Sequence, residues 1–160
     1  MASVFLWFHA LRLGMLTRTF LCLWVCILLQ GCSSNIPNLG VTNGKLAACP
    51  SSPNCVSSQA EGKHFIEPLV VKGTNAEAHE KVVAALDSLK RVKVVTREER
   101  YIHAEFTSVV FRFVDDVEFL FLEEHDGDVV IDIRSASRVG HSDFGVNRKR
   151  MEAIRRTLNE

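Results

Sequence analysis

The chain has no excess of charge of either sign: 19 Lys and Arg balance 19 Asp and Glu. General nucleic-acid binding usually shows as a strong basic excess, so no nucleic-acid partner is expected. It also lacks an apolar run long enough to remain in a bilayer. The apolar core Phe20–Leu29 is roughly half the length that spans the hydrocarbon as a helix, and extending it backwards meets Arg18 and Arg12. Histidine is scattered, with no pair at metal-ligand spacing, and no loop has the regular oxygen spacing of an EF-hand. No metal and no cofactor is therefore expected. At 160 residues there is room for one domain and a targeting segment, not for two domains.

What apolar content there is lies unevenly. The chain is 47% hydrophobic, and its first 31 residues are much richer than the rest. That stretch holds Arg12 and Arg18 and no acid, so beyond it 17 basic residues remain of the 19, against 19 acidic, a net of −2. A basic start, a short apolar core and a small residue before a cysteine read as a signal peptide over 1–31. Leu29-Gln30-Gly31-Cys32 resembles the lipobox of bacterial lipoproteins, with Gln30 a tolerated departure. The resemblance implies a diacylglyceryl group on Cys32, cleavage before it, and a membrane reached through that lipid. Two or three acyl chains, at about 0.8 kcal/mol per buried CH2, suffice for stable anchoring. Ser33 stands where an Asp would favour retention at the inner membrane, which points to the outer membrane with the domain facing the periplasm. A chance Gly-Cys after an uncut signal anchor is the competing reading. Met15 would begin a more compact leader than Met1.

Residues 32–48 have the composition of a flexible tether, rich in Ser, Asn, Gly and Pro; fully extended, Ser33–Ala48 would reach about 50 Å. A single domain over 49–160 follows. It opens with Cys49-Pro50-Ser51-Ser52-Pro53-Asn54-Cys55, and in an oxidising periplasm Cys49 and Cys55 are expected to form a disulfide. Closing so short a loop contributes about 2 kcal/mol in the chain-entropy model. A metal site with His64 is the alternative, but it lacks a second Cys/His pair.

The remaining pattern predicts the order β-α-β-β-β-β-α. His64–Lys72 reads as a first strand, and Thr74-Asn75-Ala76-Glu77 is a capping box opening a helix over 75–90 with Val82, Val83, Leu86 and Leu89 inside. Strands are predicted at Val92–Arg97, Tyr101–Phe113, Val117–Leu122 and Val129–Ser135. The apolar parity of Tyr101–Phe113 switches near Thr107-Ser108, which suggests a bulge. Asp126-Gly127 marks a hairpin. Ser142-Asp143 is expected to cap a last helix with the stripe Phe144, Asn147, Met151, Ile154 and Leu158. Helices set among antiparallel strands give an α+β two-layer domain, with both helices on one face of the sheet. Phe119, Phe121, Val129, Ile131 and Ile133 would face the helices. The other face mixes Glu118, Leu120, Leu122, Val130, Asp132 and Arg134, so a partner surface or partial cover by Cys49–Ser58 is expected there.

Three motifs carry a resemblance: Cys49-Pro50-Ser51-Ser52-Pro53-Asn54-Cys55-Val56-Ser57-Ser58, Arg112-Phe113-Val114-Asp115-Asp116-Val117-Glu118-Phe119, and the run from Arg134 to Arg148 that includes Val139-Gly140-His141-Ser142-Asp143-Phe144-Gly145. Together they resemble the family called domain of unknown function 1499, over about residues 46–158. The resemblance implies a small domain found in bacterial lipoproteins and other envelope or plastid proteins, and it implies no reaction, cofactor or catalytic residue.

Two candidate sites remain. Asp115, Asp116 and Glu118 form an acidic cluster that could serve acid–base chemistry, although a turn between strands is the favoured explanation of the Asp residues. Arg134, Arg138, Ser142 and Arg148 form a candidate anion site: Arg134 and Arg138 share one side of an extended chain and approach the amino end of the last helix, where forked guanidiniums and free amides hold phosphate or carboxylate. The structural alternative pairs those arginines with Asp115, Asp116, Glu118 and Asp132. His141-Ser142-Asp143 has the letters of a catalytic triad, but consecutive residues cannot converge as a triad must. The expected function is an envelope lipoprotein that binds an envelope protein or an anionic small ligand, or serves structurally. The rival is a hydrolase or transferase using Asp115, Asp116 or Glu118 with Arg134 or Arg138.

Overall fold

The computed structural model describes residues 39–159; the leader 1–31, Cys32 and the residues up to Pro37 and Asn38 lie outside the described part. Asn43 and Gly44 both take left-handed backbone (φ 53° and 74°), the requirement of the tight turn that matches strand twist, and so join β1 (Val41–Thr42) to β2 (Lys45–Leu46). Next come β3 (Cys55–Ser57), a 3-10 turn at Gly62–His64, and β4 (Leu69–Lys72). Thr74 and Glu77 close the predicted capping box and start α1 (Asn75–Asp87). Four strands follow, β5 (Val92–Glu98), β6 (Tyr101–Thr107), β7 (Val114–His125) and β8 (Asp128–Ser137), and then α2 (Val146–Leu158).

The main sheet has six strands, all paired antiparallel, in the order β3-β8-β7-β6-β5, with β4 also on β8. Cys55–Ser57 pairs with Arg134–Ala136, and Leu69–Lys72 with Asp128–Ile131, so β3 and β4 share one edge of β8 end to end. The class is the α+β two-layer domain expected from the sequence. Phe119, Phe121, Val129, Ile131 and Ile133 are all fully buried, and they join Val82 and Leu86 of α1 and Met151 and Ile154 of α2 in one core. Strand alternation places these side chains on one face, where burial of apolar area supplies the main driving force.

Several elements differ from expectation. The residues 41–46, read as tether, form a hairpin, and its Leu46 is buried with Tyr101 and Leu120 on the sheet face away from the helices. That hairpin supplies the cover assigned to Cys49–Ser58, of which Cys55–Ser57 instead joins the sheet as β3. Strand β6 stops at Thr107 rather than bulging, and Ser108–Phe113 is a loop whose Val109, Val110, Phe111 and Phe113 are exposed. The parity switch marks a strand end, because residues beyond Thr107 have no strand partner to set a face. A register shift occurs in β5 instead, between Val94 and Thr96. Strand β7 starts three residues earlier than expected, which puts Asp115 and Asp116 inside a strand and not in a turn. Phe144 is 89% exposed, with left-handed backbone, and is not on the α2 stripe.

Candidate functional site

Alternation along β7 decides what the acidic cluster does. Asp115 points to the helix side, whereas Asp116 and Glu118 point to the opposite face, so the three do not form one site. Glu118 is fully buried. Its Oε2 accepts from Arg134 (2.8 Å), and its Oε1 accepts from the Tyr101 hydroxyl (2.8 Å) and the Gly40 amide (2.9 Å). The cross-strand register places Glu118 directly opposite Arg134, and it sets Tyr101 opposite Leu120 on the same face. Burial, with the Glu118 carboxylate beside it, pushes the Tyr101 phenol far up, so it stays a donor. Arg134 Nε has no partner among the described residues.

Asp116 sits two residues along on the same face. Its carboxylate accepts from Arg138 at Oδ2 (2.9 Å) and Oδ1 (2.7 Å) and meets His103 Nε2 at 2.8 Å, while Arg138 also bonds Glu105. Burial by itself would raise the Asp116 pKa; the hydrogen bonds and charge of Arg138 and His103 outweigh it and hold the carboxyl below its ordinary range. The Asp116 carboxylate raises Arg138 in turn, against burial, with Glu105 adding to it. Fork-to-carboxylate pairing of this kind is the strong form of ion pair.

A third cluster lies on the helix side. Arg150 bonds Asp115, stacks over the Phe106 ring at 4.7 Å, and reaches Ser135 Oγ (2.9 Å) and Asn147 Oδ1. Fully buried Asn147 donates to the Asn54 carbonyl (3.0 Å) and Ser137 Oγ (3.1 Å). Asn54 in turn donates to the Gly140 carbonyl at 2.7 Å. Cys49 and Cys55 are disulfide-bonded, with Cα atoms 5.7 Å apart, which closes the Pro50–Asn54 loop that Asn54 ties to the β8–α2 connection. The three sequence motifs therefore meet at one junction. Asn54, Tyr101, His103, Glu105, Ser135, Asn147 and Arg150 are not singled out as site residues by the sequence. Among them Asn147 alone carries a signal, as a polar residue on an apolar helix stripe.

The four candidate anion-binding residues do not converge. Arg134 and Arg138 lie on the sheet face away from the helices, each with its own carboxylate. Ser142 and Arg148 line a separate cavity of about 240 Å³ with Lys63, His64 and Asp143. There Arg148 bonds the Lys63 and Phe65 carbonyls, and Asp143 accepts from the Gly145 and Asn147 amides at the start of α2. Asp132 takes Ser58 and Gln59 and not an arginine. Two further hollows, of about 490 and 340 Å³, are lined by none of Asp115, Asp116, Glu118, Arg134 or Arg138. Among the described residues, no group of three His, Cys, Asp or Glu side chains is arranged to hold a metal ion, and no helix is long and apolar enough to cross a membrane.

These features define a two-layer α+β domain whose charged side chains tie its own strands and last helix together. The family model for a protein of unknown function, DUF1499, matches residues 45–158, and the chain belongs to that family. Comparison with curated proteins found no match. Among solved structures, the crystal structure of TTHA0849 from Thermus thermophilus is similar at 12% identity, over 62% of this chain and 85% of that one, with a TM-score of 0.31.

Proposed function

We propose that the chain is a lipid-anchored protein of the bacterial envelope whose domain is a binding or structural module for an envelope partner, and not an enzyme. The observation that carries the non-enzymatic part is the mutual engagement of the reactive groups. Glu118 is taken by Arg134 and Tyr101, Asp116 by Arg138 and His103, and Asp115 by Arg150. A general acid or base must stand within hydrogen-bond reach of a substrate proton, and none of these carboxylates lines the three hollows described above. Each of these carboxylates instead faces its own arginine. An anionic ligand gains less support than a protein or membrane partner, because Asp143 already occupies the amides at the start of α2.

The anchoring part rests on Leu29-Gln30-Gly31-Cys32 and the apolar core before it. Metabolic labelling with palmitate tests it: the wild-type chain should carry label and sediment with outer-membrane fractions, and Cys32→Ala should carry none. Label retained in Cys32→Ala would remove the anchor. Turnover of ester and phosphoester substrates that vanishes in Glu118→Gln, in a chain shown to remain folded, would restore the hydrolase reading.

A further inference from the structure

One end of the sheet gathers most of the exposed apolar side chains. The α1–β5 connection, the β6–β7 loop and the β8–α2 connection all lie there, since Val92 pairs with Phe106 and Asp115 with Ser137, and the Thr107 and Arg138 amides bond the Arg91 and Val114 carbonyls. Val109, Val110, Phe111 and Phe113 stand on the β6–β7 loop, and Phe144 and Val146 on the β8–α2 side, with Val110 77%, Phe111 73% and Phe144 89% exposed. The Phe111 and Phe113 rings stack at 5.4 Å, so the loop presents an aromatic tip and not a collapsed one. Exposed apolar residues clustered in this way mark an interaction surface.

Charge separates the two ends. Lys90, Arg91 and Arg112 lie on the connections at this end and Lys149 in the first turn of α2, against Asp87 and Asp143, while Glu105 is paired with Arg138. The opposite end, formed by the β5–β6 and β7–β8 turns, carries Glu98, Glu99, Glu123, Glu124, Asp126 and Asp128 against Arg97, Arg100 and Lys72, an acidic excess. An apolar tip with a cationic excess at its end of the sheet, and an acidic excess at the far end, is complementary to an anionic bilayer: the aromatics enter the headgroup region and the cations meet lipid phosphates.

We propose that the Val109–Phe113 loop docks on an anionic lipid bilayer and holds the domain down on the membrane surface. This rests on the anchored reading above for bringing the domain to a membrane. The connecting chain is short enough. The Gly40 amide is bonded to Glu118, and the eight residues 33–40 reach at most about 30 Å from Cys32. Glu118 is four residues from the loop end of β7, about 13 Å along a strand. The tip is thus within reach of the bilayer that holds the lipid.

The test is site-specific fluorescence in reconstituted vesicles. The full chain is extracted from membranes and placed in vesicles of phosphatidylethanolamine and phosphatidylglycerol with brominated acyl chains. Emission is measured for Phe111→Trp and for Glu124→Trp at the acidic end, each as the difference from the parent chain. Subtraction removes Trp7 and Trp24 should the leader remain, so the loop is read whether or not Cys32 is acylated, and palmitate labelling reports the anchor separately. Phe111→Trp should shift to the blue and lose most of its emission, Glu124→Trp should do neither, and zwitterionic vesicles or high salt should weaken the effect. Unquenched emission from Phe111→Trp, equal quenching of both variants, or a shift seen only with envelope proteins and not with vesicles would overturn the proposal.

Discussion

Replacing Glu118 by leucine should destabilise the domain severely, and removing its two side-chain partners at the same time should restore most of the loss. Glu118 is fully buried and Arg134 nearly so, at 0% and 6% side-chain exposure. Glu118→Leu leaves the Arg134 charge unpaired in the interior and orphans the Tyr101 hydroxyl, which donates to Glu118 Oε1. Breaking a buried pair from one side costs about 3–5 kcal/mol. With a urea slope of about 2 kcal/mol per molar, that lowers the unfolding midpoint by about 2 M. The triple variant Tyr101→Phe, Glu118→Leu, Arg134→Met removes the acid, the base and the hydroxyl together, and replacement of buried ion pairs by apolar groups is often neutral or stabilising. Its midpoint should return to within about 0.5 M of the parent, equivalent to roughly 1 kcal/mol. Urea unfolding followed by circular dichroism measures all three chains. A single variant within about 1 kcal/mol of the parent, or a triple no better than the single, would refute the view that these charges serve one another.

Asp116 should govern part of the acid limb. Its folded pKa lies below the unfolded value of about 3.9, so the ionised form is favoured by folding. That stability is present above about pH 4 and is lost as pH falls through the folded value; Asp116→Asn should flatten the fall in thermal midpoint between neutral pH and about pH 3, and an unchanged profile would remove the assignment. The double variant Cys49→Ser, Cys55→Ser should lose about 2 kcal/mol, as should the parent under reductant, both read by urea midpoint. Asn147→Ala should cost about 2–3 kcal/mol, since Arg150 and Ser135 lose an acceptor and the Asn54 carbonyl loses one of its two donors, the Ser137 amide remaining; a loss below about 0.5 kcal/mol would show that the junction is not a structural hub.

The periodic elements were legible because their signals are local. Thr74 and Glu77 lie three residues apart, and the α1 stripe and the strand alternation of Phe119–Phe121 and Val129–Ile133 repeat within a few residues. The hairpin at Asp126-Gly127 follows from the left-handed backbone both residues take, at φ 54° and 79°. Short segments were less legible. The strands β1, β2 and β3 have only two or three residues each, too few for a period, and they exist because long strands offer them a face or an edge. Leu46 looks like a stray apolar residue in a linker until Tyr101 and Leu120 supply its neighbours.

Read by itself, the chain determined the α+β class, both helices and the core face of β7 and β8, because hydrophobic period and turn chemistry act over one or two turns of backbone. Only the tertiary structure decided which acid meets which base. Asp115 and Asp116 are neighbours in the chain yet face opposite sides of the sheet, and their partners, Arg150 and Arg138, lie 35 and 22 residues away. Glu118 finds Arg134 across a β7–β8 register set by the hairpin. Charge pairing depends on a few ångströms between distant residues, and only the closed sheet sets those distances.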